Sequence, residues 1–138
     1  MMRLFLLSLF VCLSACDVNP FDASQQPSVR VEARVPPVFS WTPQGARSLQ
    51  VFEGADVTDA LEGDQVWAVY ALDGENGMQS PVTYGRVPEG GEPNVRARDL
   101  VPGRPYTVYV RRDDPRGTGD GFTNTNNEYS DAVTFIAE

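Results

Sequence analysis

Short runs of alternating apolar and polar residues recur along most of the chain, and clusters of proline, glycine and acidic residues separate them. Residues 29–35 show the pattern most clearly, because valine or alanine alternates there with arginine or glutamate without a break. A period of two is typical of a β-strand with one buried face, and no strong helical period is present. The same reasoning predicts further strands at residues 38–43, 48–53, 66–72, 80–88, 95–98, 106–111 and 129–136.

Two of these stretches depart from simple alternation. Residues 66–72 are apolar on both faces, so they form either a central strand covered on both sides or a strand with one face left for a partner. Residues 80–88 contain Pro81 and Pro88, which cannot donate a ladder hydrogen bond, and are predicted to form an edge strand. The acidic and glycine-rich residues 89–93 are predicted to be a loop.

A turn rich in proline and glycine precedes the strand that begins at Tyr106. Pro102 fixes its own φ, and Gly103 can adopt a positive φ without strain from a β-carbon. Beyond the turn, Tyr106 shares one face of the strand with Val108 and Val110. The turn excludes a helix here and delivers the tyrosine into the buried face of a strand.

The spacing Leu100-x-Pro102-Gly103-x-x-Tyr106 resembles the loop before strand F of fibronectin type III domains. In that family the tyrosine forms a tyrosine corner, in which its hydroxyl bonds a backbone group a few residues upstream. The resemblance implies the same structural role for Tyr106.

A second motif, Phe39-x-Trp41-x-Pro43, resembles strand B of the same family, whose tryptophan packs in the core. Together the two motifs imply an all-β fold, an immunoglobulin-like or fibronectin type III-like β-sandwich of about seven strands over residues 28–138. Residues 54–93 are longer than the matching region of that family, which leaves the strand pairing there open.

The first 16 residues carry one arginine followed by an apolar run too short to span a bilayer, as in a secretory signal peptide. The run ends in Leu13-Ser14-Ala15-Cys16, which resembles the lipobox of bacterial lipoproteins. The resemblance implies cleavage before Cys16 and acylation of that cysteine, and two or three acyl chains make a stable membrane anchor. The alternatives are an ordinary secretory signal, cut nearby, or an apolar core segment.

Residues 17–27 mix polar residues with two prolines and show no period, which is typical of a flexible tether. The predicted organisation is therefore a signal peptide at residues 1–15, a lipidated cysteine and tether at residues 16–27, and a sandwich at residues 28–138. No later segment approaches 18 uninterrupted apolar residues.

The balance of 11 Lys+Arg against 19 Asp+Glu gives a formal charge of −8 and argues against a nucleic-acid partner. Histidine is absent, and Cys12 and Cys16 lie in the leader and at the lipidation position. Ser-His-Asp and Cys-His arrangements are thereby excluded, as is a disulfide. A carboxylate pair for glycoside hydrolysis is the remaining catalytic option, but acids at turns are more simply explained as solvated loops. We predict a protein that is not an enzyme.

Three aromatic residues of the middle region, Trp67, Tyr70 and Tyr84, are candidate ligand-binding residues, because rings on a sheet face can stack on a sugar or a peptide. The competing interpretation is that they fill the core.

The loop at residues 113–128 gathers many hard oxygen ligands, which favours a calcium site that would include Asp113, Asp114 and Asp120. The competing interpretation is an ordinary surface loop, since asparagine and glycine are common in such loops and the order of an EF-hand is absent. No other cofactor is indicated.

These patterns predict a lipid-anchored, non-enzymatic protein of the bacterial cell envelope that acts as a protein-interaction or structural module. The alternative is a glycan-binding module, assisted by calcium. The expected partners are a membrane, through the lipid on Cys16, and an envelope protein or a glycan.

Overall fold

The computed structural model describes residues 22–55, 64–114 and 128–138, which form two antiparallel β-sheets. The strands are β1 (Ser28–Glu32), β2 (Val38–Thr42), β3 (Ser48–Glu53), β4 (Gln65–Ala71), β5 (Val82–Thr83), β6 (Gly91–Val95), β7 (Pro105–Asp113) and β8 (Glu128–Ile136). One sheet has the order β1-β2-β5 and the other the order β6-β4-β3-β7-β8. The prediction of an all-β sandwich is confirmed, with eight strands in the described part rather than about seven.

The inward faces of both sheets meet in one apolar core. The three-stranded sheet contributes Val29, Phe39, Trp41 and Val82, and the five-stranded sheet contributes Leu49, Val51, Trp67, Val69, Tyr106, Val108, Val110 and Phe135. Trp41 is 1 % exposed, which confirms its predicted place in the core. Burial of these side chains is the main favourable term for the fold.

The register of the central strands follows from the alternating pattern. Val51 of β3 lies opposite Val108 of β7, and Leu49 lies opposite Val110, so apolar residues face apolar residues across the pair. A one-residue slip would turn every one of these side chains to the other face of the sheet. The hydrophobic pattern therefore determines the register here.

The turn before β7 has the geometry of a tyrosine corner. Gly103 adopts a φ of 80°, which only glycine takes without strain, as predicted. The hydroxyl oxygen of Tyr106 accepts a hydrogen bond of 2.9 Å from the backbone N–H of Val101, five residues upstream. Tyr106 itself is 1 % exposed. The predicted structural role of this tyrosine is confirmed.

The prediction for residues 89–98 was wrong in its boundaries. The structure places strand β6 at Gly91–Val95, across the predicted loop, and ends it where a strand was expected to begin. Pro93 lies inside this strand opposite Val69 of β4. The strand tolerates a proline because β6 is the outermost strand of its sheet, and a missing N–H is acceptable at an edge.

Two other strands are shorter than the pattern suggested. Strand β1 ends at Glu32, so Val35 lies outside it and is 75 % exposed. Strand β5 covers only Val82–Thr83, although it lies at the edge of its sheet as predicted. Strand β4 is central, between β6 and β3, which agrees with the interpretation of residues 66–72 as a covered strand.

Replacing Tyr106 with phenylalanine keeps the ring and removes the acceptor for the Val101 N–H. We expect the free energy of unfolding to fall by about 1–2 kcal/mol, because a partly buried donor loses its partner. Urea denaturation followed by tryptophan fluorescence measures this. Tyr109→Phe is the matched control, since Tyr109 is half-buried and its hydroxyl has no hydrogen-bond partner in the described part of the chain. Equal losses in the two variants would contradict the tyrosine corner.

Candidate functional site

Two of the three candidate aromatic residues lie inside the core. Trp67 is 1 % exposed and Tyr84 is 8 % exposed. Their ring centroids are 5.1 Å apart at an interplanar angle of 65°, and the ring centroid of Phe39 on β2 lies 6.4 Å from that of Trp67 and 6.5 Å from that of Tyr84. The rings therefore pack against each other, as the core interpretation required, and Tyr84 also forms part of the wall of the apolar cavity described below.

The hydroxyl of Tyr84 holds the segment before the tyrosine corner. It donates a hydrogen bond of 2.6 Å to the carbonyl oxygen of Arg98. Burial of the phenol, together with the nearby Tyr106, raises the pKa of Tyr84 to about 12. The group is therefore neutral at physiological pH and acts as a hydrogen-bond donor to the backbone.

Tyr70 lies apart from the other two candidates. It is half-buried on β4 and lines a polar groove of about 490 Å³ at one side of the five-stranded sheet. Arg47, Glu92 and Asn94 also line this groove, and Leu72 beside it is 64 % exposed. Of the three predicted ligand-binding residues, only Tyr70 lines an open polar surface.

The carboxylates of the candidate calcium site have protein partners where the structure describes them. Asp113 forms an ion pair of 2.8 Å with Arg47, and its backbone exchanges two hydrogen bonds with the side chain of Asn76. Asp114 is 5 % exposed and accepts a hydrogen bond of 3.2 Å from the hydroxyl of Tyr129. Asp120 lies outside the described residues. Within those residues, no group of three or more side chains is placed to hold a metal ion.

A buried arginine organises the end of the sandwich where β7 ends and β8 begins. Arg112 is 5 % exposed, and its guanidinium donates to the carbonyl oxygens of Pro43, Gln44 and Gly45. Burial lowers the pKa of Arg112, because desolvation disfavours its charged form. Three carbonyl acceptors compensate that cost and fix the turn between β2 and β3.

The same end of the sandwich holds the segment that precedes β1. Arg112 also donates to the side chain of Gln25 at 3.2 Å, and the Tyr129 hydroxyl accepts from the backbone N–H of Asp22 at 3.0 Å. The side chain of Gln26 donates to the carbonyl oxygen of Ser130. Residues 22–26, which the sequence assigned to the tether, are thus bound to the sandwich.

An apolar cavity lies at the other end. It has a volume of about 350 Å³ between the connection from β1 to β2, the turn before β7 and the end of β8. Val35, Pro36, Leu100 and Pro102 contribute to its wall. Among the exposed apolar side chains of the described residues, Val35 and Ile136 line this cavity, and Val101 is adjacent in sequence to two lining residues.

The bound N-terminal segment and the apolar cavity are at opposite ends of the same strand. Gln26 contacts β8 at Ser130, near its start, whereas the cavity lies beside Ile136, its last residue. Six residues of extended strand separate these points by about 20 Å. The cavity therefore lies at the end of the sandwich opposite to the point where the chain enters the domain.

Sequence reasoning missed the polar cluster around Arg112 and Tyr129. One signal was available, because Tyr106, Val108, Val110 and Arg112 alternate on the inward face of β7. Continuing the period by one step would have placed this arginine inside, with a need for buried acceptors. Nothing in the sequence indicated that Gln25 and the turn at residues 43–45 would supply them.

Comparisons with family models, with curated proteins and with solved structures found no match to this chain. Cys16 and the rest of the lipobox lie outside the described residues. In the parts of the chain that the structure does describe, no helix has the length and apolar character needed to cross a bilayer.

Replacing Arg112 with methionine removes the donor that joins the β2–β3 turn to the N-terminal segment. We expect a loss of about 2–3 kcal/mol in the free energy of unfolding, because several partly buried carbonyl groups lose a charged donor. Amide hydrogen exchange of residues 22–26 should also become faster, since Gln25 loses a contact.

Arg30→Met is the matched control for this change. Arg30 is exposed and has no ion pair among the described residues, so its loss should cost less than about 0.5 kcal/mol. An Arg112→Met protein as stable as the control would show that the buried guanidinium does not hold this end together.

Proposed function

We propose that this protein is a lipid-anchored, non-enzymatic module of the bacterial cell envelope that acts by contact with another protein. The observation that carries the proposal is the apolar end of the sandwich. Val35 and Ile136 are 75 % and 55 % exposed beside a cavity of about 350 Å³. Exposed apolar surface around a cavity is typical of an interaction site.

The anchor and the apolar end are compatible in geometry. The lipobox resemblance puts the lipid on Cys16, and residues 22–26 are bound at the end of the sandwich opposite the cavity. The six residues from Cys16 to Asp22 can span at most about 20 Å, so the domain would sit close to the bilayer. The cavity would then face away from the membrane, where a partner protein can reach it.

The absence of histidine from the whole sequence supports a non-enzymatic role, because imidazole is the usual proton carrier at neutral pH. The described carboxylates Asp113 and Asp114 have partners in Arg47 and Tyr129. They serve the structure of this end and are poorly placed to act as a catalytic pair.

A glycan-binding function is the second candidate, and the groove beside Tyr70 is the observation that favours it. A tyrosine ring with Arg47, Glu92 and Asn94 in a volume of about 490 Å³ combines a stacking surface with hydrogen-bonding groups.

Replacing Tyr70 with alanine tests that second function on an array of bacterial glycans. If the groove binds sugar, the wild-type protein binds a glycan on the array. The binding signal of Tyr70→Ala is then at least about tenfold lower, because the stacking surface is gone. Tyr109→Ala, on the same outward face of the sheet but outside the groove, should keep the signal. An array without wild-type binding excludes the glycan-binding function.

Labelling of growing cells with radioactive palmitate tests the anchor. We expect the wild-type protein to take up the label and to fractionate with membranes, and the Cys16→Ser protein to do neither, because the acylated sulfur is gone. Cys12→Ser, in the part removed on cleavage, is the control and should be labelled normally. A wild-type protein without label would refute the proposed anchor.

A further inference from the structure

Among the described residues, strand β8 forms one edge of the five-stranded sheet, because its ladder partner is β7 and β1 approaches it without forming a ladder. The backbone N–H of Ala137 donates to the carbonyl oxygen of Arg104 at 3.1 Å, in the pair next to the facing residues Ile136 and Pro105. In an antiparallel ladder this makes Ile136 and Pro105 a non-hydrogen-bonded pair. The backbone N–H and C=O of Ile136 therefore point away from β7.

The same direction holds for every second residue back along the strand. Ala132 and Thr134 alternate in phase with Ile136, so their backbone groups also point to the free side. Ser130 continues the series, and its outward carbonyl accepts from the side chain of Gln26. Among the described residues, no group forms a hydrogen bond with the outward backbone N–H and C=O groups of Ala132, Thr134 or Ile136.

The sequence of this free edge lacks the devices that block strand addition. Residues 132–136 read Ala-Val-Thr-Phe-Ile, without a charge, a proline or a glycine. Proteins commonly protect an exposed edge with one of these or with a very short strand. The segment therefore combines high β-propensity with an open hydrogen-bonding edge.

The other described edges carry such protection. Strand β6 contains Glu92 and Pro93, and β5 has only two residues. Strand β1 is five residues long and carries Arg30 and Glu32. The first half of β8 is covered, since Gln26 bonds Ser130 and the carboxylate of Asp131 accepts from the N–H of Val29.

The apolar cavity lies at the end of this edge. Phe135, Ile136 and Ala137 form part of its wall, and so does Val35 from the connection between β1 and β2. Alternate side chains of a strand added to an edge point to the same face, so one of them can enter an adjoining cavity while the backbone pairs. The cavity would select an apolar residue.

The charges near this edge are mostly acidic. Asp99 and Glu138 line the cavity. Arg34 also lines it, and its Nε lies 3.7 Å from Oε2 of Glu32. The whole chain carries a formal charge of −8. A basic partner is therefore attracted to this end, whereas a second copy of the same chain is repelled.

We propose that residues 132–136 of β8 bind an extended segment of a partner protein as an added β-strand. The segment carries an apolar side chain that enters the cavity and a lysine or arginine on at least one side of it. This inference rests on the proposed function, since it names the surface and the kind of partner through which the module acts.

The probe is a fluorescein-labelled peptide of alternating valine and threonine with a lysine at each end. Fluorescence anisotropy with the full-length protein in a non-ionic detergent measures its Kd. We expect saturable binding that weakens as salt rises, because the charge contribution is screened. N-methylation of every second peptide residue should abolish binding in one register and not in the other, because only one set of N–H groups faces β8.

Thr134→Pro is the decisive variant, and Thr134→Ala is its matched control. Both lose the hydroxyl that contacts Thr107 and the carbonyl oxygen of Ala55, but only proline also removes the outward N–H. We expect Thr134→Pro to raise the Kd by at least about tenfold and Thr134→Ala to change it by less than about threefold. If Thr134→Pro does not fold, Ile136→Lys serves instead, since Ile136 is 55 % exposed and the new charge repels the basic peptide.

Three results would overturn the proposal: no binding of the peptide to the wild-type protein, binding that Thr134→Pro or its substitute leaves unchanged, or wild-type self-association that these variants abolish. The last would assign the edge to a second copy. Palmitate labelling is independent of all three. A protein without label that still binds the peptide refutes the anchor alone, and a labelled protein without peptide binding refutes the added strand alone.

Discussion

Contact between the aromatic rings of the two sheets is the interaction on which the rest of this structure depends. Phe39 of β2 lies 6.4 Å from Trp67 of β4 and 5.6 Å from Phe135 of β8, so one ring joins the three-stranded sheet to two strands of the other. The only two cysteines lie within the first 16 residues, which leaves none to link the layers. Packing at this ring cluster therefore has to supply the cohesion that a disulfide gives in many sandwiches.

The fold was largely predictable because one face of most strands is buried. The bounds of β3 agree with the alternating pattern at both ends, and the register of Val51 opposite Val108 follows from burying both. Strand β6 was misplaced because its residues do not alternate, and its position comes from pairing with β4. The local sequence pattern does not show which strand a segment pairs with. An edge strand that contains a proline is therefore predicted to be a loop.

The candidate site was less predictable, since it depends on which side chains meet from distant parts of the chain. Tyr84 and Tyr70 look alike in the sequence, yet one is in the core and the other lines a groove. Tyr70 lies on the outward face of β4, between Val69 and Ala71 of the core, whereas Tyr84 follows β5 and packs on Trp67. The buried position of Arg112 likewise depends on acceptors 67 to 87 residues away.

One end of the sandwich is stabilised by buried polar and charged groups and the other is apolar and exposed. This difference explains how an open strand edge can be tolerated. Charged and polar groups around Arg112 cover the first half of β8, where the chain enters, while residues 132–136 are left apolar and uncovered. Such an edge would ordinarily promote aggregation. A formal charge of −8 opposes the approach of a second copy and leaves the edge accessible to a basic segment. The acidic composition thus provides part of the protection that the strand itself lacks, because it disfavours pairing with identical chains and favours partners of opposite charge.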